Sequence, residues 1–397
     1  MSDLHDLMRN APVVETRRRE PTGPRRRRGR IIGIVVAVVI LALAGGYIAY
    51  TQTAPVGTAV AASTPPAVAV PAPAAIPMSP EGESAVSVSG ADEYLGAAAD
   101  GIWHASGPDA AVPMASISKL ITAMVILDAK PLSNADDAGP TIAFDKADHD
   151  LYDKYYVLNA TIAPMPTGST MSEHDAIAAM LVVSACNYAE AVSNWAFGSQ
   201  GAFLSATRKW LAAHGMSHTT MVEPTGLDAR NTSTPSDLIA LGKLAMANPA
   251  VAQIVGQRVL TGPNVQGMAS TNDLLGTDGI TGIKTGTLAQ GSDLLFSATL
   301  DVGAPKPLSV IGVVLGGSSH DSVDGHVISL LASIKAGFHS VPLGTAGQTV
   351  GTYSTPWGES AQMVLDHDAS VLTWSDTPVT AKLTTTTLTT GADGEKV

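Results

Sequence analysis

The sequence predicts a mixed α/β (α+β) fold: helices ahead of an antiparallel sheet, a transmembrane helix before them, and a small β domain at the end. Three observations predict it. Residues 31–50, IIGIVVAVVILALAGGYIAY, hold no charge in twenty positions. From Ile117 into the 240s apolar residues recur at helical spacing. Beyond residue 279 the pattern changes to short β-prone runs broken by Gly and Pro.

As a helix the uncharged run is ~30 Å long, about the thickness of a hydrocarbon core. Residues 1–30 before it carry nine Arg and no Lys against Asp3, Asp6, Glu15 and Glu20, a local balance of +5. Arg-rich flanks stay in the cytoplasm, so the chain should leave the membrane at Tyr50 with its body outside. The alternative is a cleaved signal peptide. Its apolar region is normally roughly 7–15 residues long, and the nearest small-x-small site, Ala59-Val60-Ala61, lies well past the run. The net charge of the whole chain is −12, so the remainder is strongly acidic and no nucleic-acid partner is expected. Residues 51–83 are Pro- and Ala-rich and read as an extended linker. A folded domain is expected over 84–342, and a small β domain or tail over 343–397.

Within the folded part each element has a local signal. SISKLITAMVILDA places Ile117, Leu120, Ile121, Met124 and Val125 on one helical stripe. Ser172, with Asp175 three residues on, has the spacing of a capping box ahead of AIAAMLVV. A third helix, about 202–213, should stop at Gly215. A fourth should start at Thr234-Pro235, with Pro at its first position. GITGIKTGT, DLLFSATLDV and PLSVIGVVLGG read as adjacent antiparallel strands, and HVISLLASIKAGF returns to helix. TVGTYSTPWG and SVLTWS read as late strands, while TAKLTTTTLTT is either strand or low-complexity tail.

Two short motifs could carry chemistry. Ser116 and Lys119 stand three apart, one turn from each other on a helix. A buried lysine beside a serine can act as its base, although such a lysine can also snorkel to solvent. Lys284-Thr285-Gly286-Thr287 lies in a strand-like run. Gly286 leaves room for a ligand backbone, while Lys284 and Thr285 offer a cation and a hydroxyl to a carboxylate. Ser184 falls between them, 68 residues after Ser116 and 100 before Lys284. No metal site is expected: Gly215 should separate His214 from His218, and DKADHDLYDKYY lacks the Gly and Glu of a calcium loop. No cofactor is expected.

The ordered set S-x-x-K, Ser184, K-T-G resembles that of penicillin-binding proteins and class A β-lactamases. The flanks PMASISKLITAMVILDA, EPTGLDARNTSTPSDLIALGKLAM and LLGTDGITGIKTGTLAQGSDLLFSATLD resemble the low-mass penicillin-binding D-alanyl-D-alanine carboxypeptidases, peptidase family S11, over about 84–342. The resemblance implies an antiparallel sheet flanked by helices, a helical lobe, and a cleft between them. It implies that Ser116 is acylated, Lys119 is its base, and Ser184 relays a proton to the leaving amine. Lys284 and Thr285 would hold a substrate carboxylate, and the N–H groups of Ser116 and Thr287 would form an oxyanion hole. Peptidoglycan stem peptides ending in D-Ala-D-Ala are the implied substrate, and β-lactams the implied covalent inhibitors.

The chain departs from the family pattern at Cys186, its single cysteine. The second motif is usually S-x-N and here reads Ser184-Ala185-Cys186. Three readings stand: a stand-in for the motif Asn, an inert core residue, or a nucleophile, which would need a His partner. The span is the second departure, since many relatives end in an amphipathic membrane helix. Two other functions share the motifs: a β-lactamase, with Glu223 offered as deacylating base, and a non-catalytic module that keeps the pocket.

Overall fold

The computed structural model describes residues 25–54 and 57–388. Most of the basic segment expected in the cytoplasm, and the closing GADGEKV, lie outside the described residues. The chain divides into two compact units.

One unit contains the helix Arg25–Thr53 and a three-stranded antiparallel sheet. Among the described residues that helix is the one continuous helix long and apolar enough to cross a membrane, with a mean hydropathy of 2.8. The sheet joins Val60–Ser63 to Thr349–Ser354 and then to Ser360–Val364. A strand inside the Pro-rich segment was not expected. It uses the short VAAS run, where no Pro removes a ladder donor.

The second unit, Pro65–Gln348 with Leu365–Lys382, holds the motifs. Its five-stranded sheet is antiparallel throughout, in the order His104–Ser106, Glu83–Ser89, Leu308–Gly317, Gly291–Leu300, Ile280–Leu288. Side chains alternate between its faces. Leu294, Phe296 and Ala298 pack with Val86, Val310, Val323, Val327 and Leu331, under the helix His320–Ala336. Leu295, Ile311, Val313 and Ile283 face the other way, into the core of the helical lobe. Both faces are covered, which is why these strands read as near-continuous apolar runs.

The expected helices form. Ser118–Ala129 is buried on nearly every side, as suits a helix apolar around its whole circumference. The Ser172 hydroxyl accepts the Asp175 N–H at 3.0 Å, but the reciprocal half of the box is replaced: Asp175 turns its carboxylate to His174. Gln200–Ala213 ends just before Gly215 at φ +73°. Thr234 caps Pro235–Ala247, with Pro at the first turn. Besides the short turn of helix at Asp92–Leu95, three longer helices among the described residues were not foreseen. Lys146–Val157 occupies the acidic DKADHDLYDKYY run; it is mostly exposed, is fixed by a reciprocal Asp145–Asp148 box, and buries only Tyr155. Cys186–Phe197 and Pro249–Val255 complete the lobe. Beyond the sheet, Phe338–Gly344 pairs with Ala369–Trp374.

Candidate active site

The turn Ala115–Ile117 leads straight into Ser118–Ala129 and presents Ser116, half-buried. One helical turn on, Lys119 is completely buried. Its Nζ donates to Ser116 Oγ at 2.9 Å and to the Thr225 carbonyl at 2.6 Å. The lysine does not snorkel: it is enclosed with its Nζ aimed at the hydroxyl.

Ile280–Leu288 is an edge strand of the sheet, and it runs beside the Ser116 turn. The approach is close at Gly286. A Cβ there would stand 3.0 Å from the Ala115 Cβ and 2.9 Å from Asp293 Oδ2, so the motif glycine is needed for contact between strand and turn. Lys284 is 1% exposed and donates to the Thr285 carbonyl at 3.1 Å. Its pKa is held well below the usual lysine range, first by burial and then by the charge of Lys119, with Cys186 acting in the opposite direction. The two lysines therefore lie close enough to sense each other. The Thr285 hydroxyl bonds that of Thr271 at 2.6 Å, and Thr287, exposed, bonds His320 Nε2 at 2.7 Å.

Ser184 sits between two helices at φ +68°, a left-handed conformation rare for a residue with a side chain. It is 6% exposed. Ala115, just before Ser116, is likewise left-handed at φ +45°. Such positions cost roughly 1–3 kcal/mol each and cluster at functional sites. Cys186 opens the next helix, and its backbone N–H donates to Thr161 O at 2.8 Å. Its sulfur is buried, 4.0 Å from the Ser184 carbonyl, and no histidine is among its hydrogen-bond partners. The neighbouring Asn187 is spent elsewhere, clamping Ala163 by both its N–H and its carbonyl.

Sequence reasoning used the segment 223–231 only as part of the family resemblance and as the source of Glu223, and did not see that it backs the site. The loop 223–231 supplies the Thr225 acceptor for Lys119, and its Pro224 carbonyl takes the Thr122 hydroxyl at 2.8 Å. Fully buried Asn231 reaches Ser118 Oγ at 3.1 Å and the Glu223 carbonyl at 2.9 Å. Glu223, offered above as a deacylating base, spends both carboxylate oxygens on donors of its own loop. His320 was also missed. A pattern of types and spacings marks neither, because both act across large sequence separations.

The arrangement can carry out acyl transfer. It holds a hydroxyl against a lysine amine, a second lysine on an edge strand able to receive an extended peptide, and a left-handed serine entering the cleft-side helix.

Comparison with known proteins agrees with this geometry. A D-alanyl-D-alanine endopeptidase of Pseudomonas aeruginosa is 32% identical over 199 residues, covering 50% of this chain and 57% of that protein. The chain spans about half the length of the curated relatives it matches. Penicillin binding protein 5 from Haemophilus influenzae superposes with a TM-score of 0.55 at 20% identity, over 76% of this chain and 83% of its own, a likeness of fold. Penicillin-binding protein D2 from Listeria monocytogenes, in its ampicillin-bound form, gives a TM-score of 0.50 at 25% identity, over 64% and 96%. The profile of the D-alanyl-D-alanine carboxypeptidases matches residues 95–319. That stretch is more than half the chain and contains Ser116, Lys119, Ser184 and Lys284, so the chain belongs to this family, peptidase family S11.

Proposed function

We propose that the chain is a serine D,D-peptidase that cleaves the terminal D-Ala-D-Ala bond of peptidoglycan stem peptides through a Ser116 acyl-enzyme. One observation carries the reading: Lys119 Nζ, sealed from water, lies 2.9 Å from Ser116 Oγ. Ser116 Oγ attacks the carbonyl carbon of the penultimate D-Ala, and its proton passes to the Lys119 amine. The N–H groups of Ser116 and Thr287 receive the negative oxygen. Ser184 relays that proton from Lys119 to the departing nitrogen, the C–N bond breaks, and free D-Ala leaves. Water, or an amine from a second stem, then opens the ester and regenerates Ser116. Lys284 and Thr285 hold the C-terminal carboxylate beside the scissile bond, and the stem lies along the edge strand.

A β-lactam presents the same carboxylate next to a strained amide and is expected to stop at the acyl-enzyme. The ampicillin-bound relative supports this. The β-lactamase reading loses its base, because the Glu223 oxygens are committed to their own loop. The curated relatives are named endopeptidases, so a cross-linked stem dimer is the second substrate to try. We place the helix Arg25–Thr53 across the membrane, with the N-terminus in the cytoplasm and the peptidase unit outside.

The test is intact-protein mass spectrometry after incubation with a penicillin, then peptide mapping. One long-lived adduct on Ser116 is expected. Fast turnover of the penicillin would favour the β-lactamase, and no adduct at all the non-catalytic module.

A further inference from the structure

Glu223 is the most heavily used carboxylate near the cleft, and nothing in the mechanism above uses it directly. Its Oε2 accepts the Thr225 N–H and the Thr225 hydroxyl, both at 2.6 Å. Its Oε1 accepts the Gly226 N–H at 2.6 Å, Asn231 Nδ2 at 3.0 Å and the Asp228 N–H at 3.4 Å. Every partner is a donor, so the site calls for a group that only accepts, as an ionised carboxylate does. Two of the partners touch the nucleophile's surroundings. The Thr225 carbonyl holds Lys119 Nζ at 2.6 Å. Gly226, at φ +82°, lies so close to the Ser116 turn that a Cβ would sit 1.9 Å from Ala115 O and 3.0 Å from Ser116 N.

We propose that Glu223 is a positioning residue for acylation: its carboxylate folds the loop 223–231 so that Thr225 O and Gly226 fix Lys119 and the Ser116 turn in register. The proposal deepens the Ser116 reading and rests on it. The peptide N–H of Thr225 points at the carboxylate while the carbonyl of the same residue points at the lysine. A rotation of this short segment that relieves one contact therefore disturbs the other. Asn231 closes the frame from the opposite side, since its Nδ2 is shared between Glu223 and Ser118, the residue before Lys119.

Glu223→Gln is the discriminating variant. It keeps the size of the side chain but replaces one acceptor oxygen with an NH2 group. Whichever way the amide is turned, that group faces the backbone N–H of Thr225 or of Gly226, donor against donor. The loop must shift at one of the two residues that touch the site. Arg230→Ala is the control, because Arg230 is exposed and pairs with the Asp228 side chain on the same loop.

The experiment measures penicillin acylation over a range of drug concentrations, with the labelled fraction counted by intact mass. For Glu223→Gln we expect full stoichiometry, an unchanged half-saturating concentration, and a limiting acylation rate lower by about a hundredfold, the scale of an ångström-sized misplacement. Arg230→Ala should acylate at the wild-type rate. A wild-type limiting rate in Glu223→Gln overturns the proposal. So does a reduced labelled fraction at an unchanged rate, since that is loss of folded protein and not of position. If wild-type enzyme takes no label, the Ser116 reading fails, and the positioning claim is then decided by the crystal structure of Glu223→Gln. There the Lys119–Thr225 contact is expected to open beyond hydrogen-bond distance, and an unchanged contact overturns the claim.

Discussion

Lys119 and Lys284 are both sealed from solvent, and the fold treats them differently. Lys119 has a hydroxyl and a carbonyl within hydrogen-bond reach. Among the described residues Lys284 donates to a single carbonyl, that of Thr285. Burying an ammonium group without partners is costly, and a lysine so placed gives up its proton more readily. Lys284 shows this: its pKa is depressed first by burial, then by the neighbouring lysine. The fold itself completes Lys119 and aims it at Ser116. Lys284 retains donors suited to an acceptor such as a carboxylate, which would restore its charge on binding. In the proposed mechanism one lysine serves proton transfer and the other recognition.

The largest effect should follow from removing the group that Lys119 serves. Ser116→Ala is expected to abolish covalent penicillin labelling. Ser118→Ala should still be labelled, at a lower rate, because Ser118 Oγ is a partner of Asn231 and not of Lys119. The two variants separate the hydroxyls of one motif. An adduct mapped to Ser118 or Cys186 in either protein would end the assignment of Ser116.

The second experiment sharpens the difference between the lysines. A peptide with a free C-terminal carboxylate needs the charged form of Lys284, so its binding should weaken as pH rises through the lowered pKa of that residue. A C-terminally amidated peptide should show no such limb. In Lys119→Met the limb should move to higher pH, because one cause of the depression is gone, while burial, the larger cause, remains. Stability carries the opposite sign. Between the lowered value and the ordinary 10.5 the unfolded chain binds the proton and the folded chain does not, so stability rises with pH across that window. Lys284→Met should flatten the slope in thermal melts. Equal loss of activity on free and amidated peptides in Lys284→Ala would show that the residue does not read the carboxylate.

The same pair shows how far sequence reaches. Ser116–Lys119 and Lys284–Gly286 were legible because each is local: three residues on a helix, three on a strand. The expected helices and the strands Ile280–Leu288, Gly291–Leu300 and Leu308–Gly317 were legible for the same reason. The loop 223–231 was not, because its bond to Lys119 spans 106 positions and its bond to Ser118 spans 113. The helix Cys186–Phe197 was hidden by its start. AIAAMLVVSACNYAEAV looks like one apolar stretch, and only the left-handed backbone at Ser184 divides it. Glu83–Ser89 is a central strand whose partner, Leu308–Gly317, lies most of the domain away.

A buried charge outside the cleft extends the comparison. Glu173 opens the helix Glu173–Leu181, is fully buried, and has no hydrogen-bond partner for either carboxylate oxygen among the described residues. Burial raises its pKa to about 7, with Asp137 adding to the shift and Lys130 opposing it. The folded chain therefore binds a proton more tightly than the unfolded one, whose value is 4.5. Its contribution to stability is fully present below 4.5 and lost as pH rises through about 7. Glu173→Gln should remove that loss, with a gain on the order of 2 kcal/mol at pH 8 and little at pH 4. An unchanged melting profile would mean that the carboxylate is hydrated.

The smallest effect should come from Cys186, where the family motif usually carries an Asn. The thiol is 1% exposed and close enough to Lys284 to act on its pKa, which places it on the side of its helix that faces Lys284. A thiol accepts and donates hydrogen bonds only weakly, so little should depend on it in the acylation step. Cys186→Ser and Cys186→Ala are expected to keep measurable penicillin labelling, because Ser116, Lys119 and the backbone donors stay in place. Cys186→Asn adds a carbonyl and an amide where a substrate would lie. One neutral hydrogen bond is worth about 0.5–1.5 kcal/mol, so a change of about tenfold in peptide turnover is the scale to look for. The amide is larger than the thiol, and the sign depends on whether the buried wall yields to it. A bulky thiol reagent that reaches Cys186 should block labelling by filling the cleft. Full activity with the reagent attached would place the residue outside the cleft, and complete loss of acylation in Cys186→Ser would give the sulfur a part in the chemistry that neither lysine explains.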